Sequence, residues 1–356
     1  MERAISAEPA VALLQKDEAD VYYLRIPLFN RILHFLIVSS FLGLVLTGMP
    51  IKFSHTEIVV TLAPFFGGIA MARFFHRFFA VITFFYFAVH LIHVFHRHFF
   101  KKEKGLFWGA NSMVPHPRDA KNLMQHFLWF LHLGPRPQFG RFTYWEKFDY
   151  WAVFWGVGMI GTSGLFLWFP TFFARYLPGW IFNVAVIIHS DEALLAAGFI
   201  FIIHFFNTHL RPTKFPLDDV IITGRISREE MLYEHPLEYE TLQKAGTLEQ
   251  RRIDPPPLWM RNISKVIGFS AMGMGVATIF FILWALAQNI YILVILLSVA
   301  LPSIAIGTLL YVVLTGERGK RLLGKKREKK DPPRVFSSAM DGECLPNQKN
   351  QVKIKQ

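Results

Sequence analysis

Six stretches of about 20 apolar residues, the length that crosses a bilayer as a helix, constrain this chain more than any other feature. They cover residues 32–49, 74–95, 150–169, 185–206, 266–287 and 290–314. A segment in hydrocarbon must satisfy its backbone polar groups internally, so each stretch is expected to be a helix and the fold class an all-α integral membrane protein. Formal charge is +12. The Lys and Arg residues cluster between the apolar stretches and in the C-terminal tail, a pattern of membrane topology rather than of a nucleic-acid-binding face. The single cysteine, Cys344, sits in that polar tail. It leaves no disulfide framework, no cysteine-ligated iron–sulfur cluster and no CxxCH for covalent haem attachment. Glu2, Glu8, Asp17, Glu18 and Asp20 argue against a cleavable signal peptide, so the first apolar stretch is expected to act as the insertion signal.

Flanking charge sets the expected orientation. Arg25 and Arg31 precede the first stretch. Arg97, Lys101, Lys102, Lys104, Arg118 and Lys121 follow the second, and a run from Arg211 to Arg261 follows the fourth. The loop after the first offers Lys52 and Arg73, and the loop after the third only Arg175. The positive-inside rule then places both termini in the cytoplasm. The expected organisation is an N-terminal segment (1–30), a four-helix bundle (31–220), a cytoplasmic linker (221–262), a C-terminal helix hairpin (263–316) and a basic, disordered tail (317–356). Residues 56–66 are apolar but too short to span. Residues 120–133, with Leu123, Phe127, Phe130 and Leu131 on one side, read as a helix lying on the membrane surface.

The chain also repeats itself. The first stretch ends Leu46-Thr47-Gly48-Met49-Pro50 and is followed by a stretch with widely spaced histidines. The third contains Thr162-Ser163-Gly164, ends Trp168-Phe169-Pro170, and is followed by another such stretch. His76 and His90 lie 14 positions apart, and His189 and His204 lie 15 apart. Helical rise puts roughly 21–23 Å between the members of each pair and keeps each pair within about 60° of one face. Both stretches run from outside to inside, so His76 and His189 share an outer depth while His90 and His204 share an inner one. Two layers of paired imidazoles are what two stacked bis-histidine haems require. A lone intramembrane histidine is as often merely hydrogen-bonded to a neighbouring helix; four at matched depths favour ligation. His34, at the inner end of the first stretch, competes with His90 as the second inner ligand.

Other residues carry weaker signals. Gly43, Gly48, Gly156, Gly158, Gly161 and Gly164 would leave room for a flat group or simply let helices approach. Arg31, Arg73, Arg77 and Arg97 could pair with haem propionates, although topology alone would place them there too. Glu192 is a candidate proton relay or partner of His189, and Asp191 fits either role no better than a surface carboxylate. His93, His96 and His98 suit a headgroup-facing role, and His55, His116, His126, His132 and His235 are expected to be solvated.

Arg31-Ile32-Leu33-His34, the Leu46-Thr47-Gly48 ending, Phe75-His76-Arg77, His90, His189 through Glu192-Ala193-Leu194-Leu195-Ala196, and His204 together resemble the bacterial membrane cytochrome b superfamily. That group includes the gamma subunit of formate dehydrogenase and the cytochrome b subunit of nickel–iron hydrogenase. Residues 141–170 and the string from Thr208 to Asp218 look closest to members that accompany multihaem c-type cytochromes. The resemblance covers about residues 25–220. It implies a four-helix haem bundle, a quinone site near one haem, and partner subunits carrying further redox centres. It maps the outer haem to His76 and His189 and the inner haem to His34 and His204. His90 departs from that scheme and leaves room for a third haem. The last two stretches lie outside the resemblance.

The expectation from sequence is thus a di-haem cytochrome b subunit of a respiratory quinone/quinol oxidoreductase complex, with menaquinone or ubiquinone met near His204, Asn207 and His209. The alternative is a haem-free transporter or structural anchor. A non-haem di-metal enzyme would need clustered carboxylates, and the apolar stretches offer only Asp191 and Glu192.

Overall fold

In the computed structural model the described residues are 21–287, apart from Ala110, together with Ser298, Val299, Pro302, Ser303 and Ile306. The chain divides into two units after Leu293. Of the second unit only those five residues are described, all helical; the rest of the sixth apolar stretch, the hairpin turn and the tail lie outside the described residues.

Among the described residues, five helices are long and apolar enough to cross a membrane: Leu28–Lys52, Gly68–Phe100, Tyr144–Trp168, Trp180–Leu210 and Leu258–Ala287. These are numbered as spans one to five. Each contains the apolar stretch expected there, save Phe169 at the end of the third, and most run further, because a helix continues until a cap or breaker stops it rather than where hydropathy falls. Gly67 and Gly68 show this at the start of span two. Both adopt positive φ, +80° and +76°, which glycine tolerates without a Cβ penalty. They separate the span from the short turn Glu57–Leu62 and its 3-10 extension Ala63–Phe66. Span three starts at a capping box: the Thr143 hydroxyl accepts from the Glu146 amide while the Glu146 carboxylate accepts from the Thr143 amide.

Spans one and two pack along their length, spans three and four do the same, and the two pairs close into a four-helix bundle. Span five lies outside it, where Ile282 and Ala285 pack with Val45 and Met49 of span one and with Ala197, Phe201 and Phe205 of span four. Large apolar side chains point outward all round, with Phe35, Ile92, Leu195 and Phe280 each 67% exposed. In water such a surface would associate; against lipid it costs nothing. The helix Pro117–Phe130 carries exposed Leu123, Met124, Phe127, Leu128 and Phe130, in keeping with a surface-lying segment.

The segment expected as a linker is folded. Strand β1 (Tyr22–Leu24) lies between β2 (Arg225–Ser227) and β3 (Arg252–Ile253), antiparallel to both, in a small three-stranded sheet. The helices Arg228–Glu234 and Pro236–Lys244 complete a cap whose core is Tyr23, Val220, Ile226, Met231, Tyr239 and Leu248. The end of the bundle under this sheet is called the cap end below, and the opposite end the distal end. Glu230, Glu234 and Glu238 recur every fourth residue along the cap helices and gather the basic residues at the ends of the spans. Glu230 holds Lys214, Glu234 holds Arg211 and Arg136, and Glu238 holds Arg25 and Arg141. Several of the cations that marked topology in the sequence are therefore bound internally.

Candidate functional site

A cavity of about 2320 Å³ runs through the bundle. It exceeds twice the upper end of ordinary small-molecule pockets, about 300–1,000 Å³. His34, His76, His90, His189 and His204 all line it.

At the distal end His76 and His189 face each other across the cavity, with ring centroids 6.0 Å apart and planes at 81°. Their hydrogen bonds fix their tautomers. The Thr47 hydroxyl donates its one proton to the Gly43 carbonyl at 2.6 Å, so at 3.0 Å from His76 Nδ1 it must accept. His189 Nδ1 lies 2.9 Å from the Ile160 carbonyl, which can only accept. In their neutral form both rings thus carry the proton on Nδ1 and present the lone pair on Nε2. The Ile160 carbonyl comes from a π-helical turn, Val157–Gly161, where the regular backbone ladder is displaced.

The glycines of the repeat sit directly behind these rings. A Cβ at Gly48 would stand 3.1 Å from His76 Cε1, and one at Gly164 2.8 Å from His189 Cε1. A methyl group at either position would push the ring into the cavity. Gly156 and Gly158 meet no such neighbour closer than 4.0 Å, so for them ordinary helix packing suffices.

At the cap end His204 lies in a second π-helical turn, Ile200–His204, and its Nδ1 is 2.8 Å from Asp149 Oδ2 at the start of span three. A carboxylate oxygen accepts, so this ring too keeps Nε2 free. His34 lines the same cavity with neither ring nitrogen engaged by a described residue. His90 differs: its Nε2 is 2.9 Å from the Tyr150 hydroxyl, and its ring packs on Tyr150 and Phe154.

The remaining sequence candidates fall into place around this frame. Arg97 makes a bidentate pair with Glu103 at 2.6 and 2.7 Å, and Arg77 stacks over Trp168 at 5.6 Å. The Arg97 guanidinium holds the Glu103 carboxyl below its ordinary range. Arg31 donates to the Ile222 carbonyl at 2.7 Å, and its Nε is buried without a partner. Asp191 pairs with Lys52 at 2.7 Å, and Glu192 receives a long 3.5 Å contact from the Trp155 indole. His209 is buried, its Nδ1 spent on the Pro216 carbonyl at 2.8 Å, and Asn207 donates to the Ile203 carbonyl. His235, expected to be solvated, is buried in the cap with Nδ1 on the Gly140 carbonyl at 2.8 Å. Burial first, then the Arg25 charge, pushes it down to about 3, so it is neutral. Glu238 is raised by burial, but Arg25 and Arg141 outweigh this and hold it below its ordinary range.

Asp149, Tyr150 and Ile160 are the site residues the sequence did not single out. Asp149 could have been noticed as the acid nearest the start of the third apolar stretch, since an ionisable group at a membrane end next to a cavity invites a partner. The Ile160 carbonyl carries no side-chain signal at all. Three further buried polar atoms lack partners, Thr83 Oγ1, Arg136 Nε and Asp149 Oδ1; of these, Thr83 and Asp149 line the cavity. Among the described residues no group of three or more His, Cys, Asp and Glu could by itself hold a metal ion. Of the histidines, His76 and His189 alone stand as a close ring pair among the described residues. Comparison with models of known protein families and with curated proteins matched nothing.

Proposed function

We propose that this chain is the membrane cytochrome b subunit of a respiratory quinone/quinol oxidoreductase complex, with two b-type haems stacked in the bundle. The observation that carries the reading is the His76–His189 pair. Imidazole nitrogens bind metals at about 2 Å, so two close-set rings of this kind could both hold one metal ion. These two stand at 6.0 Å with both Nδ1 atoms engaged and both Nε2 atoms free. The volume of the cavity, the two glycines against the rings and the orphaned polar atoms along its wall support the same reading.

The distal haem would be held by His76 and His189 and the cap-end haem by His204 and His34, with His90 kept by Tyr150 as a wall residue. Bound haem supplies one-electron transfer at each end. The chain's own residues do the rest: Thr47, Ile160 and Asp149 fix ring orientation and tautomer, the apolar wall excludes water, and Arg31 and Arg77 offer cationic ends for propionates. A quinone headgroup would be met at the cap end near His204 and Asn207, with the cap on the cytoplasmic side of a bacterial inner membrane. A multihaem c-type cytochrome, or another redox subunit, would dock at the distal end.

The test is a reduced-minus-oxidised absorption spectrum of the detergent-purified chain with haem quantified. A b-type spectrum at two haems per chain is expected. Three would restore His90 as a ligand. A colourless protein, produced with haem available, would overturn the reading in favour of a haem-free transporter or anchor.

A further inference from the structure

We propose that Asp149 is a positioning residue that sets the cap-end haem at a lower reduction potential than the distal haem. This rests on the di-haem reading above and goes beyond it, because it grades the two sites. The ligand histidines with a bonded Nδ1 all present Nε2 in the same way, but their acceptors differ in kind. His76 donates to a hydroxyl and His189 to a peptide carbonyl, both neutral. His204 donates to a carboxylate.

A carboxylate draws the Nδ1 proton toward itself and makes the ring a stronger electron donor to the metal on its other nitrogen. It also places a negative charge one imidazole away from the iron. Both effects favour the oxidised metal, and hydrogen bonding, net charge and burial are the levers by which a protein sets a haem potential.

The surroundings leave that charge in force. The Asp149 side chain is 18% exposed, so little water screens it, and its second oxygen is buried without a donor to share the charge. Of the cations lining the cavity, Arg25, Arg141, Arg211 and Lys214 are each held against a glutamate of the cap and Arg97 against Glu103, while Arg31, which donates to the Ile222 carbonyl, is the cation a propionate would meet. The outcome is a graded pair in which an electron resides preferentially at the distal site.

The experiment is a potentiometric titration of the full-length, detergent-purified chain followed by visible absorption, for wild type, Asp149→Asn and Asp149→Glu. The wild type should show two resolved midpoints. In Asp149→Asn the lower midpoint should rise by at least a tenfold change in the reduction equilibrium, 59 mV for a one-electron couple, while the upper stays in place. Asp149→Glu keeps the charge and should keep the low midpoint. Two retained haems with unmoved midpoints in Asp149→Asn, or movement of the upper midpoint alone, would overturn the proposal.

Should Asp149→Asn lose the cap-end haem, His189→Ala decides. It keeps only the cap-end haem, which should titrate at the lower of the two wild-type midpoints; the higher would overturn the proposal. A colourless wild type overturns the di-haem reading and this proposal with it. Two haems in reversed order overturn this proposal alone.

Discussion

At the distal end of the bundle, His76 and His189 occupy equivalent places in the internal repeat, each on the second helix of its pair and each backed by a glycine from the first. At the cap end three histidines come from three helices, and none has that environment. His204 is tied to Asp149, His90 to Tyr150, and His34 is open to the cavity. Among the described residues the distal end is bounded by the helices and their short connections, whereas the cap end is clamped by a folded sheet and a ladder of glutamates. Duplication of a helix pair is enough to face two histidines across a cavity. Making the two ends chemically different takes residues outside the repeat, and those residues are concentrated where the cap is.

The largest effects should come from the ligands themselves. His76→Ala or His189→Ala should remove one haem of two with the protein still inserted, and His204→Ala should remove the other. Retention of both haems in any of these would break the assignment of that end. The sharper comparison is His34→Ala against His90→Ala. The first should cost the cap-end haem. The second should leave haem content at the wild-type value, because Tyr150 already holds the His90 nitrogen that would bind. The opposite result would exchange the two residues' roles.

The cap offers the next effect. Glu238→Gln leaves Arg25 and Arg141 buried against a neutral group, which costs about 3–5 kcal/mol. Limited proteolysis should then cut within residues 225–253 while the bundle stays intact. Acid should do the same more gently. His235 titrates lower in the folded cap than its ordinary 6.5, so the unfolded cap binds more protons between pH 6.5 and about 3. Stability therefore falls as pH falls through that window, by up to about 1.4 kcal/mol per pH unit. Glu238, also depressed, adds to the loss once pH drops below the ordinary carboxyl range; Glu230, raised by burial, works the other way. Protease resistance of the cap that stays flat from pH 7 to 4 would break this account.

What could be read from sequence divides along the same line. Periodicity of the repeat and the spacing of His76, His90, His189 and His204 follow from hydropathy and helical rise alone, and the structure brings the distal rings to 6.0 Å between centroids. The helix ends ran past the apolar stretches because capping, as at Thr143 and Glu146, acts outside the hydropathy signal. Residues 221–262 read as a linker because charge density mimics disorder. The glutamates there meet their cations only through contacts such as Arg25 with Glu238, more than two hundred residues apart in sequence. The orientation of His90 was likewise invisible, since it is decided by Tyr150 on another helix.

Glycine substitutions test how tightly the repeat is built around its rings. In Gly164→Ala the new methyl would stand 2.8 Å from His189, closer than any side chain sits, and in Gly48→Ala 3.1 Å from His76. Overpacking of this kind costs about 1–3 kcal/mol, with Gly164→Ala the more severe. Thermal loss of the distal haem should begin at lower temperature in Gly164→Ala than in Gly48→Ala, with the cap-end haem unaffected in both. Equal loss at both ends would mean that the two sites are not independent.

The smallest expected effect isolates the hydrogen bonds. Thr47→Val keeps the shape of the side chain but removes the hydroxyl that accepts from His76 Nδ1 and donates to the Gly43 carbonyl. A neutral hydrogen bond is worth about 0.5–1.5 kcal/mol net, so the distal haem should remain bound and be only slightly easier to dissociate. Its midpoint potential should move less than the cap-end midpoint moves in Asp149→Asn, because an uncharged acceptor changes the donor strength of the ring without changing the local charge. The backbone acceptor of His189 cannot be removed by substitution, which makes Thr47 the one neutral acceptor of the distal pair open to this experiment. A shift in Thr47→Val as large as that in Asp149→Asn would show that hydrogen bonding alone, and not carboxylate charge, separates the two ends.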